Sequence, residues 1–270
     1  MILKPFVIEN HHHAALLFLK HFSILHGNKD LSFIQKLLRA FSQIPYENIS
    51  KRIKMNTIAG EWDRLRLPEE VFHSFLEHGF GGTCYSLTYF LWVICDYCSF
   101  QCYPITMNMK WADNAHCGLV IEHENKLYLL DPGYLLSKPI PLNQLTSIHT
   151  IDQHTGVQLI YHSLHNKYEL FTYSGNNKTF RYSFQLNKLF LEDFLLAWKS
   201  SFYQKTNRHI CLTKIDPVRK GRIYIRDQFI RFYNEGKKEN IKMDMKQGIK
   251  TFFGISPEWI DMAQKDIYVS

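Results

Sequence analysis

Near residue 102 the hydrophobic period of the chain switches from about 3.6 to about 2, and this restricts the fold more than any other feature of its 270 residues. Before the switch, apolar residues recur at helical spacing. Ala14, Ala15, Leu16, Leu17, Phe18, Leu19 and Phe22 precede a break at Gly27-Asn28-Lys29-Asp30. Leu31, Ile34, Leu37, Leu38 and Phe41 then share one helical face, and Pro45 ends that element. Glu69 to His78 reads as a short amphipathic helix punctuated by Gly79-Phe80-Gly81-Gly82. Leu87, Phe90, Leu91 and Ile94 align on a fourth helix, with Thr83 or the preceding glycine as N-cap. After the switch come strand-like runs at Tyr103–Met109, His116–Glu122, Leu127–Asp131, Val157–His162, Tyr168–Tyr173 and Thr179–Phe184, separated by turn residues. They predict an antiparallel sheet or barrel. Leu189 to Trp198 returns to helix, and the tail mixes strand (Arg222–Ile225, Gln228–Tyr233) with a final helix-like segment.

Composition narrows the class. With 46% hydrophobic and 21% charged residues the chain is an ordinary globular one, neither disordered nor fibrous. Its longest strongly apolar run, Phe90 to Cys95, falls far short of the ~18 residues of a membrane span. The N-terminus Met1-Ile2-Leu3-Lys4-Pro5 carries no secretory pattern, and six cysteines are too few for a disulfide scaffold. Reduced thiols and a cytoplasmic location are expected. The net charge of +7 is uneven: residues 199–250 hold 14 Lys/Arg against 5 Asp/Glu, and the rest 18 against 20. A basic final third suits an anionic partner or a solvated face. No nucleic-acid-binding motif accompanies it.

Three residues could do chemistry together. Cys84 follows Gly81-Gly82-Thr83 at a helix start, where unpaired N–H groups and partial positive charge favour a thiolate and could hold an oxyanion. A thiol nucleophile needs a base, and the base an orienting group. His116 opens one apolar strand and Asp131 closes the next. If Glu124-Asn125 is a two-residue loop, His123 faces Lys126, and His116 lies diagonal to Asp131 on the same face, roughly 7–8 Å away. A three-residue loop would put them on opposite faces. Taken singly, His116 reads as a core histidine and Asp131 as a turn residue before Pro132-Gly133; the hairpin relation favours the pair.

Other clusters carry less. Cys95, Cys98 and Cys102 lack a fourth ligand at metal-site spacing, and Cys95 and Cys98 continue an apolar helix face. His11-His12-His13 point in different directions on a helix, so no metal is expected. Lys237-Lys238-Glu239 and Lys242 to Lys250 read as a solvated helical face first and an anion patch second.

Several motifs, in order, resemble the arylamine N-acetyltransferase family. They are Ile44-Pro45-Tyr46-Glu47-Asn48-Ile49 (the family's Pro-Phe-Glu-Asn-Leu), Gly81-Gly82-Thr83-Cys84-Tyr85 (its Arg-Gly-Gly-x-Cys-Phe), His116 with its strand, and Tyr128-Leu129-Leu130-Asp131-Pro132-Gly133-Tyr134 (its Tyr-Leu-Val-Asp-x-Gly-Phe). Pro139-Ile140-Pro141-Leu142 fits the exit from that hairpin. The resemblance implies an α+β fold of papain-like or transglutaminase-like arrangement: a helical domain over 1–84, a β-barrel domain over 85–188 and a basic α/β lid over 189–270. It implies a Cys84-His116-Asp131 triad passing an acetyl group from acetyl-CoA to an arylamine or hydrazine by a ping-pong route, without metal, nucleic acid or membrane. It places Tyr46 and Tyr134 in the acceptor pocket, and suggests Lys205 and Arg208 for the CoA phosphates. Glu47 is expected to make a structural bond in the helical domain. The chain departs from the family at Phe80, where the family has arginine, and at Ser86 and Thr88, where it has Cys-x-Glu-x-Asn. Two other readings fit the same residues: an amide synthase or transglutaminase-like enzyme with another acyl donor, and a degenerate member that binds anionic partners.

Overall fold

The computed structural model describes residues 4–24, 30–150, 156–174, 177–204, 209–234 and 237–265. Five helices precede the sheet: α1 (His12–His21), α2 (Leu31–Phe41), α3 (Ile49–Thr57), α4 (Pro68–His78) and α5 (Cys84–Tyr97). α2 starts on Asp30, whose carboxylate accepts from the Phe33 amide, and α4 has Pro68 in its first turn and ends on Gly79 in the left-handed region. Phe18, Phe41, Phe72 and Phe90 interlock as the centre of the helical core.

Seven of the strands that follow, β2 (Cys102–Met109), β3 (Ala112–His123), β4 (Lys126–Leu130), β5 (Ile140–Pro141), β6 (Ser147–Thr150), β7 (Gly156–His162) and β8 (Lys167–Ser174), join β9 (Asn177–Phe184) in one antiparallel sheet ordered β5-β4-β3-β2-β9-β8-β7-β6. It curls around a second core of Val120, Leu129, Leu159, Leu170 and Tyr182, but its edge strands β5 and β6 do not pair with each other among the described residues, so the expected barrel is an open, half-closed sheet. β3 is buried on both faces. Cys117, Leu119 and Ile121 join the helical core, whereas His116 and Val120 face the other way. That is why it reads as a continuous apolar run.

The last part contains α6 (Leu191–Ser200), β10 (Cys211–Asp216), β11 (Gly221–Arg226), β12 (Phe229–Asn234), β13 (Lys237–Ile241), α7 (Met245–Phe253) and α8 (Pro257–Gln264). Phe194 and Trp198 of α6 pack into the helical core. The second sheet runs β1-β10-β11-β12-β13, where β1 is Tyr46–Glu47 from the early chain. One of its faces packs on α7 and α8 as a third core that also takes in Ile49 and Phe80. Lys237-Lys238-Glu239, read from sequence as a helical face, lies instead in the edge strand β13. Its exposed lysines blunt an edge that would otherwise invite pairing. No helix among the described residues is long and apolar enough to cross a membrane.

Candidate active site

The β3–β4 hairpin carries the first half of the site. Glu124 and Asn125 both have positive φ, 51° and 58°, the geometry of a two-residue turn that matches strand twist. The register follows: His123 pairs with Lys126, and the ladder closes at Leu119 with Leu130. Asp131 is therefore the first residue past the strand, on the His116 side. His116 Nε2 lies 3.0 Å from both Asp131 carboxylate oxygens. Asp131 is wholly buried and also accepts from the Tyr134 amide at 3.0 Å and the Tyr182 hydroxyl at 2.5 Å. The turn role and the pairing with His116 coexist in one side chain.

The second half is α5. Cys84 is its first residue, Thr83 its N-cap. The Thr83 side chain makes no capping hydrogen bond, so the amides of the first turn are not spent on it. Gly81 and Gly82 precede it, yet neither needs positive φ. A Cβ on Gly81 would lie 1.8 Å from the Pro45 carbonyl oxygen, and one on Gly82 2.2 Å from Ser86 Oγ. At Gly81 close approach to the backbone, not a left-handed turn, requires glycine. Gly82 also bridges Tyr46 in parallel, which ties the approach to Cys84 to the second sheet.

The halves meet at Gly133. A Cβ there would stand 2.6 Å from His116 Cε1 and 3.0 Å from Cys84 Cβ, so imidazole and thiol are both packed against this one backbone position. With Nε2 turned to Asp131, Nδ1 is the ring nitrogen left for the Cys84 side. Gly133→Ala is expected to wedge the two apart and slow acylation of Cys84 by about 10²-fold or more, as misplacements of an ångström do. Stopped-flow acylation checks this; an unchanged rate would mean that the contact does not set reactive geometry.

The electrostatics are those of an ion pair. Burial disfavours charge on His116, but the Asp131 carboxylate and the bond to Cys84 outweigh it and push the imidazole up to about 10. The Cys84 thiol is held well below its ordinary value. A hydrogen bond from Cys117 contributes most; against the penalty of burial, His116 and the charge of Lys51 add to it. Lys51 is itself buried, donating to the Ser201 carbonyl and hydroxyl at 2.9 Å, and burial lowers it to about 8.

Tyr134 sits edge-on to the His116 ring at 5.1 Å, and the Tyr46 phenol lies within electrostatic reach of Cys84 and Tyr134. Lys205 and Arg208 lie outside the described residues. Ser86 Oγ bonds back to the Thr83 carbonyl at 3.1 Å, and Thr88 turns to Cys117. Sequence reasoning missed Tyr182, Lys51, Cys117 and Arg66. Arg66, in the loop before α4, donates to the Gly81 carbonyl, to Ser50 Oγ at 2.7 Å and to Glu47 at 3.4 Å. It brings to the glycine pair the cation that Phe80 does not supply, and Glu47 makes its structural bonds there and to Ser50. No signal at residue 66 itself announces this. No group of three His, Cys, Asp or Glu side chains suited to a metal occurs among the described residues.

A family model described as N-acetyltransferase matches residues 30–257. The chain belongs to the arylamine N-acetyltransferase family. Its fold is that of the family's solved structures. The arylamine N-acetyltransferase of Mycobacterium abscessus superposes with a TM-score of 0.75 at 15% identity, covering 93% of this chain and 92% of that one. The Bacillus cereus enzyme, described with a Cys-His-Glu catalytic triad, gives 0.68 at 20% identity over 90% and 98%. The Mycobacterium marinum enzyme in complex with CoA gives 0.72 at 14% identity over 92% and 94%. Comparison with curated protein sequences gives no match.

Proposed function

We propose that this member of the acetyltransferase family moves an acetyl group from acetyl-CoA to an arylamine or hydrazine through a thioester on Cys84. The observation that carries the reading is one buried imidazole bonded to a buried carboxylate and packed with a buried thiol against Gly133. The Cys84 sulfur attacks the acetyl carbonyl, with the negative charge that develops on oxygen facing the first amides of α5. His116 gives its proton to the departing CoA sulfur. In the second half it takes a proton from the acceptor nitrogen as that nitrogen attacks the thioester, and Cys84 leaves as thiolate. Asp131 keeps Nε2 protonated and Nδ1 aimed at sulfur. Tyr46 and Tyr134 give the acceptor ring aromatic walls. All six cysteines are free thiols in the structure, which suits a reducing compartment such as the cytoplasm.

The second sheet offers a place for the donor's phosphates. Cross-strand partners share a face, and the row Tyr46, Thr213, Tyr224, Arg231, Asn240 puts Arg222, Arg226, Arg231 and Lys238 on the same face as Tyr46. The five strands place no carboxylate on that face. Arg231 Nε is buried without a hydrogen-bond partner among the described residues, as a site built for an anion would leave it, and Arg222 reaches the Tyr134 carbonyl at 3.2 Å. These residues take the role suggested for Lys205 and Arg208.

Incubation with acetyl-CoA is expected to add one acetyl mass to Cys84, a mass that an aromatic amine then removes, and Cys84→Ala to abolish the adduct. Peptide mass spectrometry reads both steps. A folded protein that takes the acyl group from other thioesters but not from acetyl-CoA would overturn the donor assignment.

A further inference from the structure

β9 holds one residue more than the strand it pairs with. Tyr168 pairs with Phe184 and Leu170 with Tyr182, but Phe171 pairs with Phe180, which leaves Arg181 opposite no residue of β8. The extra residue is a β-bulge, a device that re-aims a side chain. In a regular strand Arg181 would project away from the face that Tyr182 occupies. Instead its Nε donates to Thr172 Oγ1 at 2.6 Å, and Thr172 lies two residues beyond Leu170, on the Tyr182 face. The guanidinium lies over the Tyr134 ring, 5.9 Å from its centroid. That ring packs on Tyr182 at 5.5 Å and edge-on to His116 at 5.1 Å. The bulge thus sets a half-buried cation on the aromatic wall beside the imidazole. Among the described residues Arg181 pairs with no carboxylate, and its terminal nitrogens make no hydrogen bond.

We infer that Arg181 selects acceptors whose aromatic ring carries a carboxylate remote from the amine. Tyr134 touches the imidazole and the guanidinium alike, so a ring lying along it with its amine toward Cys84 can hand a substituent to Arg181. A carboxylate is the substituent that fits, because the planar fork of a guanidinium meets it with two parallel N–H bonds. The donor's phosphates have cations elsewhere: Arg222, Arg226 and Arg231 belong to the second sheet, Arg181 to the first. The inference rests on Tyr134 lining the acceptor pocket, as proposed above.

The test compares 4-aminobenzoate with the uncharged 4-aminobenzamide as acceptors of the acetyl group, in the wild type, Arg181→Met and Arg181→Lys. The ratio of the two kcat/KM values, compared between variants, cancels the intrinsic reactivity of the amines. It should fall about tenfold in Arg181→Met, the loss of a charge-assisted hydrogen bond. Arg181→Lys keeps the charge without the fork and should lose less. Equal ratios in wild type and Arg181→Met would overturn the inference. So would an unchanged ratio with a raised KM for acetyl-CoA, which would give the guanidinium to the donor. Should Arg181→Met not fold, Arg181→Lys and Thr172→Val, which frees Nε from its anchor, should each lower the ratio, and the inference fails if neither does. Protection of Cys84 from iodoacetamide by the same two compounds needs no acetyl transfer. If the protein takes no acetyl group, the functional reading fails, and Arg181 keeps its role only if the benzoate loses more of its protection than the benzamide in the variants.

Discussion

Asp131→Asn is expected to slow acetylation of Cys84 on the order of 10³–10⁴-fold, the penalty seen when an orienting carboxylate loses its charge. The substitution keeps the shape of a side chain that is wholly buried and accepts from His116, Tyr134 and Tyr182. What it removes is the charge that outweighs burial around the imidazole. With that gone, burial drives His116 down from about 10 and the proton returns to sulfur. Wild-type Cys84 should alkylate at a nearly constant rate across neutral pH; the variant should show a rate climbing with pH like a free thiol. Stability changes in the same sense. The folded-state value of His116 is raised above its ordinary 6.5, so its contribution is present in full below about pH 6.5 and lost as pH rises through 10. The stability gap between wild type and Asp131→Asn, from urea titrations, should accordingly be widest in mild acid and narrow toward pH 10. A variant retaining a tenth or more of the wild-type acetylation rate would remove Asp131 from the chemistry.

The largest effect on stability is expected at Arg66. Arg66 is 4% exposed, and its guanidinium serves a fully buried Glu47, the Ser50 hydroxyl and the Gly81 carbonyl, with Glu70 at 3.0 Å on the other side. Among the described residues, Arg66→Met leaves the Glu47 charge in the interior with only the Ser50 donors. Removing one partner of such a pair costs about 3–5 kcal/mol. Neutralising the survivor should recover a good part, so Glu47→Gln with Arg66→Met should be more stable than Arg66→Met alone. Chemical denaturation of the four members of this cycle measures it. If the double variant is no more stable than Arg66→Met, the cost lies in the Gly81 carbonyl rather than in the stranded carboxylate.

Local rules made part of this legible. The hairpin register could be worked out because a two-residue turn leaves only one pairing, and the same step placed His116 on the side of Asp131. Elements with distant partners were not legible. Tyr46–Glu47 is a two-residue strand whose partner is β10, and nothing local marks it. Lys237–Ile241 has the composition of a solvated helix but the pairing of a sheet edge, and the pairing decides. Arg66 lies in a loop between helices and reaches the glycine pair only through the fold. Cys117 is hidden in an apolar run, where a cysteine looks like any small core residue.

The adoption of Tyr46–Glu47 by the second sheet has a bearing on biosynthesis. Asn48 secures that junction with bonds to the His209 carbonyl and the Cys211 amide, the latter 163 residues away. A ribosome delivers the sulfur, the imidazole and the carboxylate well before the strand that fastens the stretch leading into Gly82. A nascent or truncated chain thus holds Cys84, His116 and Asp131 with the Tyr46–Glu47 stretch unmoored, and pairing with β10 fastens it.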